Sequence, residues 1–441
     1  MIADKLSTFI TQQRSAQVPD HIRAAVKLRF LDLLGAGMAG WQLGLFRPVM
    51  EVMEWAAGPC IVWGEGHRVS ARDATVLNGF MAHCTYLEDG SRSTGGHPSS
   101  ALIPAVLALA EARDDPPDRF IMAVALGYEV FLRIGAQIYP ASVQRGFQPT
   151  AVLAAIGAAA GCASLMALNG KACAHALCIA APLGSGLKAS LREPSTQPLQ
   201  VARSGEGGML AARMAAAGLK GHELNLEAFI ASHGGDPEGC LKDVGKDWQL
   251  EQTYMKVHAE CRGNHAAIDA VMDAVRSRRL ELDKIQAIRI GIDKVTAAAE
   301  ITHPRTAAEA QFSIPFSVAV ALLHGDASLF QYSEQRFNDP AVRRMMDLVT
   351  VMVDSEMNQL LPASRGAKLE IVLKDGGSVH NKLFNARGEP EMPLSPAEIT
   401  AKFHLYAREV LGNRGKEVAE RVEALEDQKS LRELTRLLVA A

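Results

Sequence analysis

The chain of 441 residues has 46 Lys and Arg against 49 Asp and Glu, a formal net charge of −3, and is 48% apolar and 22% charged. That balance excludes disorder, collagen and fibre, and at roughly 100–200 residues per domain it predicts about two to three domains with ample core material. There is no global basic field and no long run of like charge, so nucleic acid is not an expected partner.

The 7 cysteines include no C-x-x-C pair, which indicates neither a disulfide framework nor a zinc ribbon and fits a reducing compartment. Met1 to Ala16 carries Asp4, Lys5 and Arg14 around a short apolar patch too broken for a signal peptide, which points to the cytoplasm. Between Arg145 and Lys171 lie 25 uncharged residues, long enough to span a bilayer. They are mostly Ala and Gly, whose insertion is marginal and whose small side chains suit close packing, so a buried core helix and no membrane are expected.

In chain order, Asp20 caps a helix with Ile22, Val26, Phe30 and Leu33 on one face, and Gly35 to Gly40 closes it. Ala-rich helices follow over about 100–113, 119–137, 150–168, 171–181 and 205–218, which predicts an all-helical domain over 1–268. Past residue 280 the period changes. Lys284 to Ile292 alternates as a strand, and Lys368 to Leu373, the Asp375-Gly-Gly turn and Ser378 to Phe384 read as a hairpin. Pro315 to His324 and Ala341 to Asp354 read as helices, giving a smaller α+β domain over 269–396. A helical pattern returns over 397–441 and completes the first domain, so the fold class is mainly α with a smaller α+β domain.

Two stretches carry chemistry. In the first, Glu88 and Asp89 leave a helix, a loop with three glycines follows, and His97-Pro98-Ser99-Ser100 opens the next helix. Pro suits the first helical turn, whose outward N–H groups suit an anion such as a substrate carboxylate, and His97 beside it has the pKa for general acid or base work. The plainer reading is that His97 only caps the helix and the acids are solvated. In the second stretch, Lys256, His258, Arg262 and His265 put four cationic donors within ten residues, which suits a small polyanion. No zinc signature matches His258, Cys261 and His265, so no metal is expected, and the plainer reading is a solvated basic helix start. Cys173, His175 and Cys178 read as core, and Glu129 with Arg133 as a structural i,i+4 pair. There is no G-x-G-x-x-G after a strand, no P-loop and no G-x-S-x-G elbow, so no nucleotide cofactor is indicated.

The chain resembles the MmgE/PrpD family, which includes 2-methylcitrate dehydratase, cis-aconitate decarboxylase and iminodisuccinate epimerase. The resemblance is carried by His83 with Glu88-Asp89-Gly90 and His97-Pro98-Ser99, by Gly127-Tyr-Glu-Val130 with Arg133, and by Gly146-Phe-Gln-Pro-Thr150. It continues through Cys261-Arg262 with His265 and Ile268-Asp269, then Gln311-Phe-Ser-Ile-Pro-Phe316 leading to Gly325. It implies a helical body with an α+β unit, a homodimer, and no cofactor or metal.

Family enzymes commonly place an Asp or Glu where this chain has Tyr86, a His at Gln148, a Lys near Gln197, a His near Gln200 and, in the decarboxylase, a Tyr near Phe316; His97 is retained. Exchanging Lys and His for glutamine removes charge and proton-transfer capacity but keeps hydrogen bonding, so a tricarboxylate would bind less well than a less anionic or amidated substrate. The resemblance thus implies an acid/base enzyme acting alpha to a carboxylate of a small organic acid, a dehydratase-like lyase first and an isomerase or epimerase second. His97 would be the principal acid/base with Tyr86 and Asp89 beside it, and Gln148, Gln197, Gln200, Lys256, His258, Arg262 and His265 would hold the substrate. The rival is a paralogue that binds a ligand without catalysis.

Overall fold

In the computed structural model, which describes residues 1–192 and 195–441, helix α1 (Asp20–Leu43) runs through the glycines expected to close it. A methyl group on Gly40 would lie 2.0 Å from the Met81 carbonyl oxygen, and one on Gly37 would lie 2.5 Å from the Trp63 ring. Those positions are glycine because neighbouring segments touch the helix backbone; the helix ends at Gly44, whose φ of +68° a side chain would resist.

Chain packing divides the protein into one unit of Met1–Thr253 with Ser395–Ala441 and another of Tyr254–Leu394. The first unit holds α2 (Ala71–His83), α3 (Pro98–Arg113), α4 (Pro117–Ile138), α5 (Pro149–Leu165) and α6 (Gln197–Ala216). It also carries a small antiparallel ribbon, Ala57–Ile61 with Arg68–Val69, which the all-helical expectation omits. Every residue of α5 is buried, as expected of an Ala and Gly helix. Among the described residues the helix long and apolar enough to cross a membrane is α4, and 89% of its apolar window is buried inside the fold. Helix α6 starts well before the expected residue 205, because Pro198 fits its first turn and Gly208 lets α6 approach the Ala155 carbonyl oxygen.

The second unit holds α7 (His265–Arg278), β1 (Ile285–Ile292), α8 (Ile314–His324), β2 (Val349–Val353), β3 (Ala367–Leu373) and β4 (Ser378–Leu383). The sheet order is β2-β1-β3-β4, with β1 parallel to β2 and the other pairs antiparallel. Ile288, Ile290 and Ile292 share the buried face of β1, and an irregularity between Ile285 and Ala287 brings Ile285 inside as well. The helix expected over 341–354 is instead a short helix, Pro340–Met346, followed by β2, where the β-branched run Val349-Thr-Val pairs with β1 from Ile288 onward.

Residues 254–264 belong to this second unit, not to a helical domain reaching residue 268. Their backbone is held there by Met255 N–H to Gly388, Cys261 N–H to Gln311, both at 2.9 Å, and Ala259 N–H to Ala327 at 3.2 Å. The chain then returns to the first unit with α9 (Pro396–Leu411), which opens on a Ser395/Glu398 capping box and packs on α1.

Candidate active site

The segment from α2 to α3 turns at Tyr86, a buried aromatic with a φ of +55°. A bulky residue in the left-handed region stores backbone strain, a condition that clusters at functional sites. Glu88 and Asp89 follow and are buried, not solvated. Asp89 Oδ1 accepts the Ser99 N–H at 3.0 Å, Oδ2 accepts the Tyr128 hydroxyl at 2.9 Å, and Arg29 Nε lies 3.8 Å away. Burial pushes the Asp89 carboxyl above its ordinary range, while Arg29 and the hydrogen bonds pull the other way. The chain thus supplies its own anion at the start of α3, where the sequence suggested a substrate carboxylate. Asp89 is engaged in placing that helix, which sets its carboxyl apart from the acid/base role expected of it.

His97 precedes Pro98 but its side chain does not cap the helix; Nδ1 lies 2.6 Å from the Asp89 carbonyl oxygen. A carbonyl only accepts, so Nδ1 carries the proton and Nε2 is the basic nitrogen of the neutral ring. The His97 backbone N–H donates to Thr150 Oγ1 at 3.1 Å, which ties the first turn of α5 to this point. The His97 side chain is 19% exposed, whereas that of His83 is 1% and that of Glu88 0% exposed. Glu88 Oε1 sits 2.9 Å from His83 Nδ1 and 3.8 Å from His97 Nδ1, between two rings whose centroids are 5.7 Å apart. Lys402 of α9 steadies the turn by donating to the Leu87 carbonyl at 2.7 Å while pairing with Asp32 at 2.7 Å.

The glutamines divide. Gln197 reaches the centre, with Nε2 2.6 Å from His83 Nε2, whereas Gln148 Oε1 caps α5 by accepting the Ala151 N–H at 2.5 Å. Gln200 Oε1 accepts the Leu187 N–H at 2.5 Å, and the Gln148 N–H donates to Gly186 at 3.0 Å, so these two hold one turn from either side. For Gln148 this is a helix-capping role in place of the substrate contact expected.

In the second unit Lys256, His258, Arg262 and His265 are all buried, which excludes a solvated basic helix start. His258 Nε2 meets Asp269 Oδ1 at 2.9 Å; burial lowers its pKa, but that hydrogen bond and the Asp269 charge outweigh burial and leave it raised. Arg262 pairs with Glu389 and stacks over Tyr254 at 5.3 Å, while its Nη1 has no hydrogen-bond partner. His265 is pushed well below its ordinary value by burial and by His258, Arg262 and Lys256, and its Nε2 has no hydrogen-bond partner. Glu260 accepts from Ser317, from Asn264 at 3.2 Å and from Tyr332 at 3.2 Å, and burial raises it to about 7. Phe316 packs on Tyr332, ring centroids 5.7 Å apart. Among the described residues no group of three or more His, Cys, Asp and Glu side chains is arranged to hold a metal ion.

The structure therefore gathers His97, Asp89 and Gln197 in the first unit and the four basic residues in the second. His83 and Glu88 have no role among the residues expected from sequence; the signal for them is their position, one at the end of α2 and one in the turn beside His97. Glu260 lies inside the basic stretch without being among the expected site residues, and Glu389 carries no local signal.

Comparison with known proteins gives a match of residues 4–233 to the MmgE/PrpD N-terminal domain and of residues 258–428 to the MmgE/PrpD C-terminal domain. The cis-aconitate decarboxylase-like protein oryM of Aspergillus oryzae is 24% identical over 99% of this chain and 97% of its own length. The cis-aconitate decarboxylases of Homo sapiens and Mus musculus are 25% and 26% identical over 99% of this chain and 94% and 93% of theirs. Both halves of the sequence thus match one family in order and at nearly full length, and the chain belongs to the MmgE/PrpD family.

Proposed function

We propose that this protein is a lyase that moves a proton alpha to a carboxylate of a small organic acid, with His97 as the acid/base group. Family membership and relatives named as cis-aconitate decarboxylases support lyase chemistry at that level. The observation that carries the assignment to His97 is its fixed tautomer: Nδ1–H is held by the Asp89 carbonyl, so a partly exposed ring turns Nε2 to proton transfer. In an elimination, Nε2 takes the alpha proton and its electron pair forms the double bond as the beta substituent leaves. In a decarboxylation, the carbon keeps the electron pair of the C–C bond as carbon dioxide leaves and takes the Nε2 proton of a His97 that solvent has protonated.

His83 and Glu88 position His97 in this reading, and the Arg262 Nη1 donor gives the second unit a place for a carboxylate. Glutamine at positions 197 and 200 argues for a substrate with fewer negative charges than a tricarboxylate. The test is alpha-proton exchange in D₂O, followed by NMR, with 2-hydroxy acids, unsaturated acids and amino-dicarboxylates. Wild type should exchange or convert at least one, and His97→Ala should lose at least about 100-fold of that rate. If ligands raise the melting temperature equally in both proteins and nothing exchanges in either, the protein binds without catalysis.

A further inference from the structure

We infer that the first turn of α6 recognises a neutral carboxamide on the substrate through Gln197 and Gln200. This deepens the proposed function and rests on it for the bound molecule being a small organic acid. The two residues are three apart on one helix and so share a face. Each uses one end of its amide within the protein and leaves the other buried without a hydrogen-bond partner: Gln197 Oε1 and Gln200 Nε2.

Neighbouring atoms fix both orientations. The Ser100 hydroxyl donates to the His97 carbonyl at 3.3 Å, so its oxygen accepts from His83 Nδ1–H at 2.9 Å, and in the neutral ring Nε2 is a lone pair that the Gln197 NH₂ faces at 2.6 Å. Turning that amide over would set oxygen against lone pair. Gln200 likewise must present oxygen to the Leu187 N–H at 2.5 Å, since the reverse would oppose two donors. What remains is one acceptor and one donor. Gln197 is 2% exposed, and a buried polar atom without a partner is costly enough that a ligand supplying the missing bonds gains strongly.

A carboxylate cannot satisfy this pair, because it has no proton for Gln197 Oε1 and would place negative charge beside it. A primary carboxamide can: its NH₂ donates to Gln197 Oε1 and its carbonyl accepts from Gln200 Nε2. The pair lies next to the proposed chemistry, since Gln197 touches His83, whose ring centroid is 5.7 Å from that of His97.

The experiment compares binding of succinamate with succinate, and of glutaramate with glutarate, to the full-length protein at pH 7.5 by calorimetry. At least one monoamide should bind at least about tenfold tighter than its diacid, since a site built to bond a donor rejects the analogue lacking it. The preference should persist in His97→Ala, which separates this assignment from the catalytic one: loss of exchange with retained amide preference sinks only the chemistry. It should shrink to less than about threefold in Gln197→Leu and, independently, in the less buried Gln200→Leu, each checked for folding by its melting curve. Diacids binding as well as monoamides, a preference unchanged in both glutamine variants, or no binding by either monoamide would each overturn it, the last meaning that water alone fills the pair.

Discussion

Each unit contains a pair of histidines packed edge to face, and the two pairs are built alike. His83 and His97 have centroids 5.7 Å apart at 60°, His258 and His265 5.1 Å apart at 61°, and one ring of each pair meets a carboxylate at 2.9 Å. Their surroundings separate them. In the first unit the second ring, His97, is partly exposed and pinned by a carbonyl, which leaves a basic nitrogen able to exchange protons. In the second unit the second ring, His265, is buried among Lys256, His258 and Arg262, and the crowd of positive charge keeps it neutral. The same two side chains therefore leave a partly exposed basic nitrogen in one place and a buried neutral ring in the other. Access to water and the sign of neighbouring charge decide which.

The sharpest way to break this contrast is to uncover a charge in the second unit. Arg262→Ala leaves the Glu389 carboxylate without its guanidinium in a buried setting and should cost about 3 kcal/mol in urea unfolding. A loss below about 1 kcal/mol would mean that the pair is as well solvated as a surface bridge.

A smaller effect concerns pH. The Glu260 carboxyl holds its proton up to about 7, against an ordinary 4.5, because burial opposes its charge. The folded state then binds more protons than the unfolded state between those values, so stability falls as pH rises through that window. Glu260→Gln should remove about 2 kcal/mol of the difference in unfolding free energy between pH 5 and pH 7.5. His265 acts with the opposite sign: its depressed folded pKa gives stability that is present above its ordinary 6.5 and lost as pH falls below it. An unchanged slope in Glu260→Gln would show that water reaches that carboxyl.

The smallest change tests the division among the glutamines. Gln148→Ala removes the cap on α5 and should cost about 1 kcal/mol. Unlike Gln197→Leu, it should leave ligand binding within about twofold. A larger loss of binding would move Gln148 from helix cap to substrate contact.

The position of His97 at the start of α3 was legible from the sequence because a His-Pro-Ser start after two acids is a local pattern, and so were the β1 alternation and the β3/β4 hairpin. The helix expected over 341–354 failed because β2 exists only where β1 lies beside it. Asp89 was singled out in preference to Glu88 because adjacent acids look equivalent in sequence. Only the fold shows that Asp89 meets Ser99 and Tyr128 while Glu88 meets two imidazoles.

Composition and periodicity by themselves determined the class of the protein, a helical body interrupted by an α+β segment, because apolar spacing and turn chemistry act over a few residues. Tertiary structure alone decided which nitrogen of His97 is basic, which end of each glutamine is engaged, and that Arg262 meets Glu389. Protonation and hydrogen-bond direction depend on partners far away in sequence, and no local pattern encodes them.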